Sequence, residues 1–84
     1  MSITIFSTTT CSTCHVLTEW LDKEGLSYVK KEVDQDPIAM AEFMGINDGM
    51  VGVPFTVIDK DDGEQVKFSG YDIASLRKLL QVEQ

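Results

Sequence analysis

Apolar and polar positions along the chain change period several times, and each change marks an element. Ile3-Thr4-Ile5-Phe6 is a short β-branched and aromatic run that reads as a first strand, ending at Ser7. From about Ser12 to Glu24 there is no Gly or Pro, and the apolar residues recur at helical spacing. Leu17 and Leu21 share a face with Cys14, and Val16 and Trp20 are expected to widen that stripe. Gly25 is the expected stop. Ser27 to Val33 reads as a second strand through Tyr28, Val29 and Val33. Asp36-Pro37 opens a second helix, with Asp as N-cap and Pro at the first helical position. That helix is expected to turn Ile38, Ala41 and Met44 inward and to end near Gly45. Ile46 to Gly52 is a loop rich in turn-formers.

Val53-Pro54 leads into the third strand, Phe55 to Ile58. A hairpin turn over Asp59 to Gly63, with Asp62-Gly63 its strongest signal, joins it to a half-buried fourth strand from Glu64 to Phe68. Ser69-Gly70-Tyr71 turns the chain. Asp72 is placed to N-cap a third helix with Ile73, Leu76, Leu79 and Leu80 on its apolar face. Arg77 and Lys78 lie towards its end, where cations suit the helix dipole. The order is β-α-β-α-β-β-α. A right-handed crossover makes strands one and two parallel, and the hairpin adds an antiparallel pair. The expectation is an α/β chain with one four-stranded mixed sheet flanked by three helices, in a single domain over residues 1–84.

Composition narrows the function. The 7 Lys and Arg against 14 Asp and Glu give a net charge of -7, which opposes nucleic-acid binding. The N-terminal residues lack the basic and long apolar regions of a signal peptide, and no apolar run approaches the roughly 18 residues of a membrane span. The expected compartment is therefore the cytoplasm. There a lone Cys pair points to catalysis or metal binding rather than to a structural staple.

Both cysteines lie in Cys11-Ser12-Thr13-Cys14-His15, where the first strand hands over to the first helix. Cys11 is expected just before the helix, facing its unpaired N–H groups and the positive end of its dipole. Those groups favour the thiolate, which is the nucleophilic form. Cys14 then falls in the first turn, close enough to close a disulfide. Two other readings share these residues. Cys-x-x-Cys-His is also the pattern for haem attachment, with four Met residues available as axial ligands. Export for haem assembly would need a signal peptide, however, and the strands oppose an all-helical haem fold. A zinc site needs about four ligands, and only two Cys and one His lie together. His15 is one position from Cys14 and is expected to face solvent. The expected metal set is none.

The Cys pair after the first strand, Val53-Pro54 at the start of the third, and Gly70 before the last helix together resemble the glutaredoxin branch of the thioredoxin fold. Phe68-Ser69-Gly70-Tyr71-Asp72 is similar to the Trp-Ser-Gly-Phe-Arg-Pro-Asp turn of the NrdH redoxins, which serve ribonucleotide reductase. Ala41 to Gly45, with Asn47-Asp48-Gly49, looks like mycoredoxins and some bacterial glutaredoxins. The resemblance implies a monomeric thiol-disulfide oxidoreductase active in electron transport and cell redox homeostasis. It implies no bound cofactor beyond a redox-active Cys11–Cys14 disulfide. Cys11 would be the nucleophile and Cys14 the resolving thiol. Ser12, Thr13, Val53, Pro54, Gly70, Tyr71 and Asp72 would border the substrate, with Val53-Pro54 a cis bond. The implied partners are a disulfide-bearing protein such as ribonucleotide reductase, and thioredoxin reductase, glutathione or another low-molecular-weight thiol as reductant. The chain departs from common glutaredoxins in having Ser12-Thr13 for Pro-Tyr and Gly52 for Thr. Thr8-Thr9-Thr10 stands where those proteins carry a Lys, which weighs against tight glutathione binding.

Overall fold

In the computed structural model, which describes residues 2–47, 49, 52–71 and 73–80, the elements follow the expected order. They are β1 (Ser2–Ser7), α1 (Ser12–Lys23), β2 (Val29–Glu32), α2 (Pro37–Ile46), β3 (Phe55–Asp59), β4 (Gln65–Ser69) and α3 (Ile73–Leu80). The sheet order is β2-β1-β3-β4. β1 runs parallel to β2 with Thr4 opposite Val29, and antiparallel to β3 with Phe6 opposite Phe55. β3 and β4 form the hairpin, with Asp59 opposite Gln65. Gly63 closes its tip at φ +91, and its N–H donates to the Lys60 carbonyl at 3.0 Å. That is the Gly-ended three-residue hairpin loop that Asp61-Asp62-Gly63 favours.

Alternation along the strands divides the core between two faces. Ile3, Ile5 and Ile58 meet Leu17 and Leu21 of α1 and Leu76 of α3, with Trp20, Leu26, Tyr28 and Val66 packed around them. Phe6, Phe55 and Val57 point the other way and meet Val33, Ala39 and Phe43, with Ile46 alongside. Phe6, Phe43 and Phe55 form a ring cluster with centroids 5.5 to 6.3 Å apart. Tilted and edge-on rings at such distances contribute beyond their buried area.

Local signals set the helix ends. Asp36 caps α2 by accepting from the Ile38 N–H at 3.0 Å, with Pro37 beside it. After α1, Gly25 takes φ +72. Its N–H donates to Asp22 at 3.1 Å and the Leu26 N–H to Leu21 at 3.0 Å, a Schellman ending.

Two expectations about helix faces are corrected. Ile38 is 74 % and Met44 64 % exposed, and Ala41 is exposed with them; the buried positions of α2 are Ala39 and Phe43. This helix is apolar almost all round, so period alone selects no face. The largest side chain, Phe43, selects it by filling the space between Phe6 and Phe55. Val16 is likewise exposed, because it lies one turn beyond exposed Ser12, away from the Cys14–Leu17–Leu21 stripe. The proposed Asp72 cap lies outside the described residues. Leu76 is buried as expected, and the side chains of Ile73, Leu79 and Leu80 lie outside the description. Among the described residues no helix is long and apolar enough to cross a membrane.

Candidate active site

Strand directions gather the site at one edge of the sheet. β1 runs towards that edge and β3 runs away from it, so the chain leaving Phe6 and the chain entering Phe55 lie side by side. The first carries Cys11 and the second carries Val53-Pro54. Ser69 of β4 pairs with Phe55, which brings the Gly70-Tyr71 turn to the same edge.

Cys11 is the N-cap of α1, with extended backbone at φ -87 and ψ 104. Its sulfur accepts a hydrogen bond from the Cys14 N–H at 3.0 Å. An N-cap oxygen ordinarily occupies this place; here a sulfur does, so negative charge arising on Cys11 falls on a donor already aimed at it. Cys11 and Cys14 are joined as a disulfide with their Cα atoms 5.3 Å apart. Cys11 is partly exposed, whereas Cys14 is 2 % exposed. An attacking thiolate needs access; a resolving thiol needs only to reach its neighbour.

The buried Thr18 hydroxyl lies 3.2 Å from the Cys14 carbonyl and 3.1 Å from that of His15. His15 faces solvent as expected. Ser12 and Thr13 are exposed on the first turn of α1. The Val53-Pro54 peptide is cis, with Val53 half-buried and Pro54 fully buried. The Gly70 N–H donates to the Pro54 carbonyl at 2.8 Å, and Gly70 takes φ +90. Tyr71, next in sequence, is 40 % exposed. The structure thus brings together Cys11, Ser12, Thr13, Cys14, Val53, Pro54, Gly70 and Tyr71 at one edge. Asp72 lies outside the described residues.

The glutaredoxin family profile matches residues 3–62, which is more than half of the chain and includes the Cys pair and Val53-Pro54. The chain belongs to the glutaredoxin family. Glutaredoxins are thiol-disulfide oxidoreductases whose chemistry resides in the cysteines and needs no bound cofactor, and this chain carries the pair. It is 31 % identical over 71 residues to the SPbeta prophage-derived thioredoxin-like protein YosR of Bacillus subtilis, across 83 % of this chain and 82 % of YosR. Among solved structures, the T8A mutant of the thioredoxin-like protein BC3987 superposes with TM-score 0.79 at 27 % identity, covering 98 % of this chain and 97 % of that one. The NrdH-redoxin of Escherichia coli, described as glutaredoxin-like with a thioredoxin-like activity profile, superposes with TM-score 0.74 at 24 % identity. It covers 94 % of this chain and 95 % of its own. The last match shows the shared fold. A sheet-based glutaredoxin fold also removes the haem-attachment reading of Cys-x-x-Cys-His.

Sequence reasoning missed Asp34. Its carboxylate accepts from the Thr9 N–H at 3.2 and 3.1 Å and from the Thr9 hydroxyl at 2.7 Å. The Thr9 hydroxyl is the main reason that the Asp34 carboxyl is held below the usual carboxylate range; partial desolvation opposes this, and the Thr9 N–H adds to it. Finding this pair from sequence would have required knowing that the ends of β1 and β2 lie side by side.

Proposed function

We infer that this chain reduces disulfides of protein substrates, with Cys11 as nucleophile and Cys14 as resolving thiol. The observation that carries this reading is the Cys14 N–H donated to the Cys11 sulfur, together with the burial of Cys14. The Cys11 thiolate attacks one sulfur of the substrate disulfide. A mixed disulfide forms and the other substrate sulfur leaves as a thiolate. Cys14, deprotonated, then attacks the Cys11 sulfur, closing Cys11–Cys14 and releasing the second substrate thiol. Two electrons pass to the substrate, and a reductant then supplies two more to reopen the Cys11–Cys14 disulfide.

The rim fits an extended polypeptide. Val53 precedes the strand start and is half-buried, and its backbone N–H and C=O would pair with a substrate strand. Pro54 and Gly70 fix the backbone beside it, while exposed Ser12, Thr13 and Tyr71 would supply side-chain contacts, with Asp72 next in the chain. The physiological setting is cytoplasmic, as a monomer, with ribonucleotide reductase the candidate recipient. Thioredoxin reductase is favoured over glutathione as the donor. Glutathione carries a net negative charge, and no Lys or Arg lies between Thr8 and Glu19 in a chain of net charge -7.

The test is turnover of a disulfide substrate with thioredoxin reductase and NADPH against glutathione and its reductase, at matched donor concentrations. Faster turnover with the protein reductase is expected. Faster turnover with glutathione would overturn the donor assignment, and no turnover with either would overturn the activity.

A further inference from the structure

The turn that delivers Cys11 is held from the neighbouring strand. The Cys11 N–H donates to the Thr8 carbonyl at 3.3 Å, so Thr8 to Cys11 form a turn with Thr9 and Thr10 at its centre. Asp34 grips Thr9 through three contacts of 2.7 to 3.2 Å, across 25 residues of sequence. Asp34 is itself well anchored. The preceding Val33 N–H donates to Ser7 at 2.9 Å, joining the chain just beyond β2 to the end of β1. The Gln35 and Asp36 N–H groups then donate to the Glu32 carbonyl at 3.1 and 3.0 Å, closing a tight turn around Asp34. One anchored turn therefore holds a second turn, and the second carries the reactive sulfur. Bonds to an ionised carboxylate are among the stronger hydrogen bonds, and two of its oxygens are engaged here.

We propose that Asp34 is a positioning residue for Cys11, holding the Thr8–Cys11 turn so that the sulfur stays aligned with the Cys14 N–H at the start of α1. The proposal rests on the reading of Cys11 as the nucleophile. Its physical basis is the steep angular dependence of hydrogen bonding: a turn free to rock carries the sulfur off the axis of its donor. The thiolate then loses part of its stabilisation and the Cys11 pKa rises. A carboxylate acting only through its charge would do the reverse. Its removal would ease ionisation of a nearby thiol and lower the pKa. Positioning and charge therefore predict shifts of opposite sign.

The experiment measures the alkylation rate of Cys11 against pH in reduced protein, in a Cys14→Ser background where only one thiol reports. Asp34→Ala is expected to raise the Cys11 pKa by about half a unit or more, moving the midpoint of the rate–pH curve to higher pH by that amount. Thr9→Val should shift it in the same direction and less, whereas Thr9→Ser, which keeps the hydroxyl, should stay with the parent. A lowered pKa, or an unchanged one in Asp34→Ala with parental far-ultraviolet circular dichroism, overturns the proposal. If Asp34→Ala does not fold, the Thr9 pair decides: equal alkylation curves for Thr9→Val and Thr9→Ser overturn it. Alkylation needs no disulfide substrate. A chain that shows these shifts yet reduces no disulfide would contradict the proposed function and leave the positioning role standing.

Discussion

The backbone N–H of Cys14 points at the sulfur of Cys11, 3.0 Å away, from within the helix turn that Cys11 caps. Two thiols of one motif thus have different surroundings. Cys11 has a donor and access to solvent; Cys14 is buried. In reduced protein Cys11 is expected to alkylate first, with Cys14 at least about tenfold slower. Cys14→Ser should accumulate a mixed disulfide with substrate, and Cys11→Ser should accumulate none. Mass spectrometry of the trapped species checks this. A Cys11→Ser variant that reduces disulfides as well as the parent would reverse the assignment.

Gly70 and Gly45 offer the same substitution with opposite signs. A Cβ at either position meets nothing within 4 Å, so sterics with neighbours do not enter. Gly70 takes φ +90 while its N–H holds the Pro54 carbonyl. Gly70→Ala places an L side chain in a left-handed conformation, at a cost of about 1–2 kcal/mol. Gly45 lies in α2, where Ala is the better helix former, and Gly45→Ala should stabilise by up to about 1 kcal/mol. Urea denaturation of both variants measures the difference. Gly70→Ala should also raise KM for a protein disulfide, since the displaced turn carries Tyr71, whereas Gly45→Ala should leave KM unchanged.

The two faces of α2 can be separated by mutation. Phe43→Ala empties the space between Phe6 and Phe55 and is expected to cost about 3–5 kcal/mol. Ile38→Ser alters a side chain 74 % exposed and should change stability by no more than about 0.5 kcal/mol. Chemical denaturation midpoints check both. A larger loss at Ile38 than at Phe43 would mean that α2 packs by the face centred on Ile38.

That contrast shows what the chain's order of residues reveals and what it hides. β1, α1 and the Cys pair were legible because each carries its own local signal: β-branched residues, a helix-length stretch free of Gly and Pro, and an N-cap position at the junction. Val53-Pro54 and Gly70 were legible through resemblance to glutaredoxins. The orientation of α2 was not, because Ile38, Ala39, Met40, Ala41, Phe43 and Met44 leave no polar face from which to read a direction. The Asp34–Thr9 contact was hidden for a different reason. It joins residues 25 apart through the parallel register of β1 and β2, and that register is a tertiary fact. Asp36, two positions on, announced itself as a helix cap because its partner, the Ile38 N–H, is local.

The same contact has a pH dependence whose sign is fixed. The Asp34 carboxyl is held below the usual range chiefly by the Thr9 hydroxyl, with help from the Thr9 N–H, its own N–H and the Gln35 side chain, and against partial desolvation. A carboxyl whose folded pKa is depressed contributes its full linkage above its unfolded value of about 3.9. The contribution fades as pH falls below that value and is gone once pH passes the lower, folded pKa. The Thr9 amide should therefore keep a constant, hydrogen-bonded chemical shift from neutral pH down to about pH 5. It should move upfield as the carboxyl protonates at more acid pH. Following that resonance in a two-dimensional amide spectrum gives the folded pKa of Asp34 directly. In Thr9→Val the hydroxyl contact is absent and the transition should shift to higher pH, because the largest stabiliser of the ionised form has been removed. A transition in the parent lying above the ordinary carboxylate value would contradict the ionised, hydrogen-bonded state of Asp34.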